Sequence, residues 1–153
     1  MTTRKPIHTD KAPKAIGPYS QALRIGDTLY ISGQVGIDPA SSQLVQGDTA
    51  AQARQALTNI GAILAEAGFT MKEVAQVQIF LTDMGDFVPV NEVYKTFFEE
   101  PYPARAAVQV GALPAAAAVE IMAVAHKQGK PATAQPHSVA HKIMKHKHED
   151  DLP

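Results

Sequence analysis

Alternating hydrophobic and polar residues mark several short segments of the chain as β-strands, because successive side chains of a strand point to opposite faces. The segments with this pattern are 20–25, 28–32, 75–81, 105–110 and 119–127. The first two flank the dipeptide Gly26-Asp27, which is typical of a two-residue hairpin turn. Residues 38–47 have the composition of a loop. The first third of the chain is therefore expected to consist of short strands joined by turns.

Two longer segments have helical spacing instead. In the first, apolar residues recur every three or four positions between Asp48, a good N-cap residue, and Gly68, which ends the helix. The second helix begins near Asp86 and has an apolar stripe of its own. Between them, Thr70 and Glu73 have the spacing of a capping box. The order β-β-β-α-β-α-β-β predicts an α+β fold, a single domain whose sheet carries two helices on one face.

The opposite face of the predicted sheet is expected to carry Ala107, Gln109, Met122 and Val124. Such a face is too apolar to stay in contact with water over its whole area. Association of subunits through this face is the simplest way to cover it.

Composition and charge narrow the class of protein. With 153 residues, 45% hydrophobic and 19% charged, the chain suits one soluble globular domain. It has no cysteine, which excludes disulfides, thiolate metal ligands and cysteine nucleophiles. A net charge of −1 lacks the basic footprint of a nucleic-acid-binding domain, so nucleic acid is not expected as a partner. No segment reads as a secretory signal or a membrane span, so a cytoplasmic protein is expected.

Residues 128–153 differ in composition from residues 1–127, which we take as the folded domain. This segment combines glycine and prolines with histidines and lysines, and His137 and His141 are one helical turn apart. A metal or polyanion site is one interpretation, but no third ligand has a convincing spacing. A flexible C-terminal tail is favoured, and no metal site is predicted.

Two charged residues lie in strands that otherwise look buried. Arg105 has Ala107 as its nearest neighbour on the same face, which leaves open space in front of its guanidinium. Glu120 lies at the entrance of a strand that is apolar on both faces. Two interpretations stay open from these residues alone: a structural ion pair that pins two adjacent strands, or a pair of groups with a chemical role.

Four segments together resemble the RidA/YjgF/UK114 family. They are AIGPYSQA at 15–22, YISGQVGIDP at 30–39, VNEVYKTFF at 90–98 and PARAAVQV at 103–110. The resemblance runs from about Lys5 to about Lys127, and it implies a chorismate-mutase-like (YjgF-like) homotrimer with a central barrel, outer helices and clefts between subunits. It also implies a deaminase that hydrolyses small 2-imino acids and their enamine tautomers, such as 2-iminobutanoate and 2-iminopropanoate, to 2-oxo acids and ammonia.

The resemblance further implies roles for individual residues. Arg105 would clamp the substrate carboxylate through the planar fork of its guanidinium. Backbone N–H groups near Gly33 and Ala107 and the Ser32 hydroxyl would complete the contacts to oxygen. Glu120 would hold and polarise the water that attacks the C=N carbon. A protonated imine is already electrophilic, so no metal, flavin or other cofactor is expected.

Two more residues match the family pattern. Tyr19 would cap the cleft with its hydroxyl, and Asn91 would support the cleft from the second helix. Each also has a simpler interpretation, as a packed turn tyrosine and a solvent-facing helix asparagine, and Ser32 could be a strand-end hydroxyl bonded to its own backbone. The chain departs from the family at Ala107, where many members have cysteine, and at the alanine run 115–118, which replaces a loop that is often charged.

Two functions of other classes stay open. Some members of the family are labelled as RNA-cleaving or translation-inhibiting proteins, although the near-neutral charge and the isolated His8 and His126 do not favour RNA chemistry. The other alternative is a non-catalytic trimer that binds 2-oxo acids. Because Arg105 is retained, the sequence favours the enzyme.

Overall fold

Eight β-strands and two α-helices make up residues 3–129, the part of the chain that the computed structural model describes. The strands are β1 (Arg4–Ile7), β2 (Ala22–Ile25), β3 (Thr28–Val35), β4 (Ile37–Asp38), β5 (Gln43–Leu44), β6 (Val74–Leu81), β7 (Ala104–Gln109) and β8 (Val119–His126). The helices are α1 (Thr49–Glu66) and α2 (Phe87–Phe97). Short 3-10 turns occupy Met71–Glu73, Met84–Asp86 and Pro114–Ala116.

Six of the strands form one sheet in the order β1-β2-β3-β8-β6-β7. All neighbours are antiparallel except β6 and β7, which are parallel and are connected through α2, as a parallel pair needs a long crossover. β8 therefore lies inside the sheet, although it comes last along the described chain, and β7 lies at an edge. These six strands and two helices follow the predicted β-β-β-α-β-α-β-β order, so the α+β prediction is confirmed.

The strands that precede α1 agree with the prediction at one turn and differ from it elsewhere. Ile25 pairs with Thr28, which confirms the hairpin at Gly26-Asp27. The expected loop over 38–47 is partly wrong, because Ile37 pairs with Leu44 and Asp38 with Gln43 in a separate small hairpin. Strands of two residues are too short to show a periodic pattern, which is why the sequence did not indicate them.

Both helices pack on one face of the sheet and form the hydrophobic core with it. Its most buried side chains, all at most 1% exposed, are Leu57, Ile60, Ile63 and Leu64 of α1, Val77, Ile79 and Leu81 of β6, and Val119 and Ile121 of β8. Full burial of each such side chain stabilises the fold by about 1.5–3 kcal/mol. The Asp48 carboxylate accepts a hydrogen bond from the Ala51 N–H at 2.9 Å, as expected for the N-cap of α1.

The register of the sheet corrects the predicted composition of its open face. Ala107 pairs with Ile79, and Ile79 in turn pairs with Ile121. Paired residues of neighbouring strands share a face, and both isoleucines are buried beneath the helices. Ala107 and, by the same alternation, Gln109 therefore lie on the helix-covered face, and only Met122 and Val124 lie on the open face as predicted. Period-two alternation groups residues within a strand but does not say which face of the sheet each group occupies.

The predicted tail 128–153 lies almost wholly outside the described residues, and so do His137 and His141. The division at residue 127 stays a prediction. Within residues 3–129, neither helix is long and apolar enough to cross a membrane.

Candidate active site

A cleft of about 820 Å³ opens on the face of the sheet that the helices leave uncovered. Tyr19, Ser32, Gly33 and Glu120, four of the residues predicted from the sequence, line this cleft together with apolar side chains. The apolar part of the lining comprises Pro13, Ile16, Val35, Ile37, Pro114, Ala115 and Met122. We call this space the Glu120 cleft.

The Glu120 carboxylate lies directly against the backbone of the neighbouring strand. The pairing of β3 with β8 is irregular between Ile31 and Gln34, where Gly33 lies against the carboxylate. A Cβ atom on Gly33 would be 2.8 Å from Cδ of Glu120, so a side chain at this position would displace the carboxylate. Burial raises the pKa of Glu120, and no hydrogen bond within residues 3–129 offsets that effect. The carboxyl group is thus more basic than usual, and its position depends on the glycine.

Ser32 and Tyr19 are already engaged in hydrogen bonds of their own. The Ser32 hydroxyl donates to the Ser20 carbonyl at 2.6 Å, so its proton is directed away from the cleft. It would have to rotate before it could donate to a ligand. The Tyr19 hydroxyl accepts a weak hydrogen bond from the Ile16 N–H at 3.3 Å, and the side chain is 53% exposed at the mouth of the cleft.

A buried glutamine that sequence reasoning missed fixes the wall beside Tyr19. Gln21 is 2% exposed, and its amide accepts from the Thr9 N–H at 2.7 Å. The same amide donates to the carbonyls of Thr9, Ala12 and Pro13 at 2.8–3.3 Å. Gln21 therefore ties the loop that leads to the cleft onto the sheet, as a fully bonded buried amide should. The motif AIGPYSQA contains it, but a motif does not say what an amide binds.

Arg105 lies in a second pocket, of about 420 Å³, between β7 and α2. Its Nη1 atom donates to Oδ1 of Asn91 at 2.8 Å, and its Cζ atom lies 4.6 Å from the ring centre of Tyr94. The Phe87 ring is 5.6 Å away on the same helix. These contacts aim the guanidinium by a hydrogen bond and by cation–π attraction. Arg105 remains exposed and forms no ion pair within residues 3–129.

Asn91 and Tyr94 lie one turn apart on α2, and together they form the base of this second pocket. Asn91 is half-buried against Arg105, so it is not simply a solvent-facing asparagine. Tyr94 is 4% exposed, and its hydroxyl has no hydrogen-bond partner within the described part of the chain. Burial raises the pKa of Tyr94, whereas the nearby charge of Arg105 lowers it by less.

Ala107 lies two residues beyond Arg105 on the edge strand β7. The Val110 N–H just after β7 donates to the Leu81 carbonyl at 2.8 Å. Because successive N–H groups along a strand point in opposite directions, those of Arg105 and Ala107 point away from β6. The backbone of Ala107 therefore offers a free donor at the sheet edge beside the guanidinium.

The structure thus divides the predicted residues into two groups. Glu120 pairs with Phe80, which in turn pairs with Val108 on the open face, whereas Arg105 pairs with Val77 on the helix-covered face. Strand β6 separates the two strands that carry the charges. The interpretation of Arg105 and Glu120 as an ion pair between adjacent strands of one chain is therefore wrong. β7 and β8 are consecutive in sequence but are not neighbours in the sheet, because β8 inserts between β3 and β6.

The chain is similar to named proteins and to solved structures over most of its length. The family model described as endoribonuclease L-PSP matches residues 9–127. A mouse protein named 2-iminobutanoate/2-iminopropanoate deaminase is 56% identical over 122 residues, which cover 80% of this chain and 90% of the mouse protein. The crystal structure of RidA from an Antarctic Psychrobacter is 49% identical and covers 80% of this chain and 99% of its own, with a TM-score of 0.78. Escherichia coli TdcF with bound serine is 40% identical, covers 81% and 99%, and has a TM-score of 0.77.

Proposed function

The chain belongs to the endoribonuclease L-PSP (RidA/YjgF/UK114) family, and we propose that it is a hydrolytic deaminase of reactive 2-imino acids and their enamine tautomers. Its products are 2-oxo acids and ammonia, and 2-iminobutanoate and 2-iminopropanoate are the substrates that the name of the mouse relative favours. The observation that carries the proposal is a guanidinium aimed by Asn91 with no carboxylate partner in residues 3–129, in a chain that also holds a carboxylate of raised pKa. We place the enzyme in the cytoplasm as part of the same proposal.

A complete site requires two subunits, because Arg105 and Glu120 lie on opposite faces of one sheet. We propose a homotrimer in which the Arg105 pocket of one subunit meets the Glu120 cleft of the next. The open face supports this assembly: Tyr30 and Val108 are 49% and 46% exposed there, beside the half-buried Met122. Such an apolar face needs a cover.

The Arg105 side of the shared site binds the substrate carboxylate. A guanidinium binds a carboxylate through two parallel hydrogen bonds, a geometry that a lysine could not reproduce. Asn91 and Tyr94 hold the fork before the substrate arrives, which reduces the ordering cost of binding. The N–H of Ala107, which points away from β6, adds a donor to the substrate carboxylate. Because this contact is made by the backbone, it does not require the cysteine that many family members have at this position.

The Glu120 side carries out the hydrolysis. As the water oxygen bonds to the carbon of the protonated imine, the C=N π electrons move to nitrogen and Glu120 takes a proton from that water, a step for which its raised pKa is suited. Glu120 then gives this proton to the carbinolamine nitrogen. As the C=O bond forms, Glu120 takes the hydroxyl proton, the C–N bond breaks and ammonia leaves. Tyr19 and Gly33 line the cleft around this water, and Ser32 can bind an oxygen of the substrate after its hydroxyl rotates.

The activity can be tested by generating 2-iminobutanoate in situ with an amino-acid oxidase and following its loss against semicarbazide as a competing trap. Wild type should accelerate the loss, whereas Arg105→Ala should form the same oligomer and show almost no acceleration. An Arg105→Ala variant that is unfolded or monomeric would assign the arginine to structure instead. An inactive, well-folded wild type would leave 2-oxo-acid binding and RNA cleavage as the functions to test.

The shared site can be tested separately by complementation. Arg105→Ala and Glu120→Gln chains should each be inactive alone, but mixed oligomers formed by co-refolding contain sites that combine an intact Arg105 with an intact Glu120. With random mixing, about a quarter of the sites are complete if each site takes its two halves from different subunits. If both halves belonged to one subunit, mixing would restore nothing.

A further inference from the structure

The turn that precedes β8 forms one wall of the Glu120 cleft. Pro114 and Ala115 line the cleft directly. Ala115 and Ala116 have φ angles of 57° and 54°, in the left-handed region that residues other than glycine rarely adopt. Two successive alanines in this region are held there by their surroundings, and such backbone strain occurs preferentially at functional sites.

The residue that follows this turn is fixed on both sides. The Ala118 N–H donates to Oε1 of Gln52 at 2.8 Å, and the Ala118 carbonyl accepts from the Thr82 N–H at 3.1 Å. Ala117 is 2% exposed, and its N–H donates to the Pro114 carbonyl at 3.1 Å. Ala118 is therefore the point at which the strained wall is attached to the rest of the molecule.

Gln52 is unusual among the residues that α1 turns toward the core. It is 8% exposed, in a helix whose other core-facing residues are mostly aliphatic. Its backbone also lies against Gly36, because a Cβ atom on Gly36 would lie 2.7 Å from Cα of Gln52. Gly36 lies between Val35 and Ile37, both of which line the cleft. One residue of α1 thus contacts two segments that adjoin different parts of the cleft lining.

We propose that Gln52 is a positioning residue that sets the distance between the 113–117 wall and the Glu120 carboxylate, and thereby the length of substrate side chain that the cleft accepts. This inference rests on the proposed deaminase function. Ala118 is two residues before Glu120, so a shift of Ala118 moves the wall relative to the carboxylate. The hydrogen bond from Ala118 to Gln52 prevents that shift.

The test compares Gln52→Met with Arg54→Met. Methionine keeps the length of glutamine but cannot accept the hydrogen bond. Arg54 is exposed on the same helix, and its side chain forms no hydrogen bond within residues 3–129. The measured quantity is the ratio of kcat/KM for 2-iminobutanoate to that for 2-iminopropanoate. A ratio does not depend on how much of the enzyme is folded. We expect Gln52→Met to change it about threefold to tenfold, since a single methylene in an apolar pocket contributes about tenfold or more to selectivity, and Arg54→Met to leave it unchanged.

An unchanged ratio in an active Gln52→Met enzyme would overturn the inference and leave Gln52 a purely structural role, and so would an equal change in Arg54→Met. If Gln52→Met does not fold, adding Ala115→Gly and Ala116→Gly removes the backbone strain. Because Ala115 lines the cleft, that triple variant is compared with the Ala115→Gly/Ala116→Gly double variant. The two should differ in the ratio, whereas equal ratios would overturn the inference. A wild type that does not hydrolyse either imine would overturn the proposed function as well, so the two failures are distinguishable.

Discussion

Arg105 and Glu120, the two charged residues that stand out in the sequence, lie on opposite faces of the same sheet and on strands that are not neighbours. Each has its own local support: Asn91 and Tyr94 for the arginine, Gly33 for the glutamate. One chain therefore carries the two halves of the proposed site in places where they cannot meet within it. A chemical role that needs both charges needs more than one copy of the chain.

Removing the orienting contact of Arg105 should weaken substrate binding. We expect Asn91→Ala to raise KM for 2-iminobutanoate about tenfold with a smaller effect on kcat, since a hydrogen bond to a charged group contributes about 1.5–3 kcal/mol. Asn91→Asp should be at least as harmful, because its carboxylate would compete with the substrate for the guanidinium. The measurement is steady-state kinetics, with the exposed Val88→Ala on the same helix as the control. An Asn91→Ala enzyme with wild-type KM would show that Arg105 does not need this contact.

The raised pKa of Glu120 predicts that Glu120→Gln lowers the activity of the protein but raises its stability at pH 7. Glu120→Gln should lower kcat about a hundredfold or more, as expected for loss of a general base. Burial disfavours the charged form, so the folded state binds a proton on the Glu120 carboxylate more readily than the unfolded state does. This protonation stabilises the fold at low pH, and the stabilisation is lost as pH rises through the raised pKa. Glu120→Gln should therefore have a higher Tm than wild type at pH 7, and this gain should disappear below the pKa of glutamate in the unfolded chain.

The pH profile of kcat/KM tests the same assignment. Activity should fall as pH drops through the raised pKa of Glu120, so the acid limb should lie above the ordinary glutamate value. An acid limb at or below that ordinary value would contradict the assignment of Glu120 as the group of raised pKa on which the reaction depends.

The close approach of Gly33 to Glu120 predicts a site-specific effect of a single methyl group. In Gly33→Ala, the new Cβ would lie 2.8 Å from Cδ of Glu120, so the carboxylate must move. We expect kcat to fall at least about tenfold, since a small misplacement of a catalytic group has a large effect, while far-ultraviolet circular dichroism stays the same. Gly111→Ala is the matched control, because a Cβ there meets no atom within 4 Å. Equal activity of the two variants would contradict the role of Gly33.

Glu73 provides a prediction about stability at a site remote from the chemistry. Burial raises its pKa, but hydrogen bonds from the N–H groups of Thr70 and Gln128 and the contact with Lys127 outweigh burial, so its pKa is lowered. Its contribution is therefore present above the pKa of the unfolded chain and is lost as pH falls through the lowered value. Glu73→Gln should reduce the free energy of unfolding by about 1–3 kcal/mol at pH 7, and the difference should vanish in acid. Urea titrations at several pH values would measure it.

A surface ion pair serves as the reference for that experiment. Glu92 and Lys95 are both more than half exposed at 3.1 Å, and such pairs contribute about 0.2–1 kcal/mol at most. Glu92→Gln should therefore change stability less than Glu73→Gln at pH 7. Lys127 also contacts the Gly68 carbonyl and the Phe69 ring, so the partly buried contacts around Glu73 should be the stronger of the two.

The local pattern of the sequence predicted the individual strands and helices well, but it did not predict which strands are neighbours in the sheet. Asp48 and the Gly26-Asp27 turn depend only on nearby residues, and both were predicted correctly. The face occupied by Ala107 and the separation of Arg105 from Glu120 depend on β8 inserting between β3 and β6, which no local pattern specifies.

The site shows the same division between local and distant information. Arg105 and Glu120 were recognisable because a charge in an apolar strand is unusual. Gln21 and Gln52 were not, because no local pattern distinguishes them from other polar residues, while their hydrogen-bond partners belong to other segments of the chain. Tyr94 lies in VNEVYKTFF, one of the segments that carry the family resemblance. That its hydroxyl has no hydrogen-bond partner within residues 3–129 becomes visible only once the helix is packed.

The edge strand β7 has a consequence for how this protein behaves on dilution. Its N–H and C=O groups on the side away from β6 have no partner strand within the described chain and stay available to the substrate, so association depends on the apolar open face, where Tyr30 and Val108 need a cover. On the proposed assembly, folding and association become one coupled equilibrium governed by mass action. The thermal midpoint then rises with total protein concentration, and a chain at very low concentration loses its fold and its activity together.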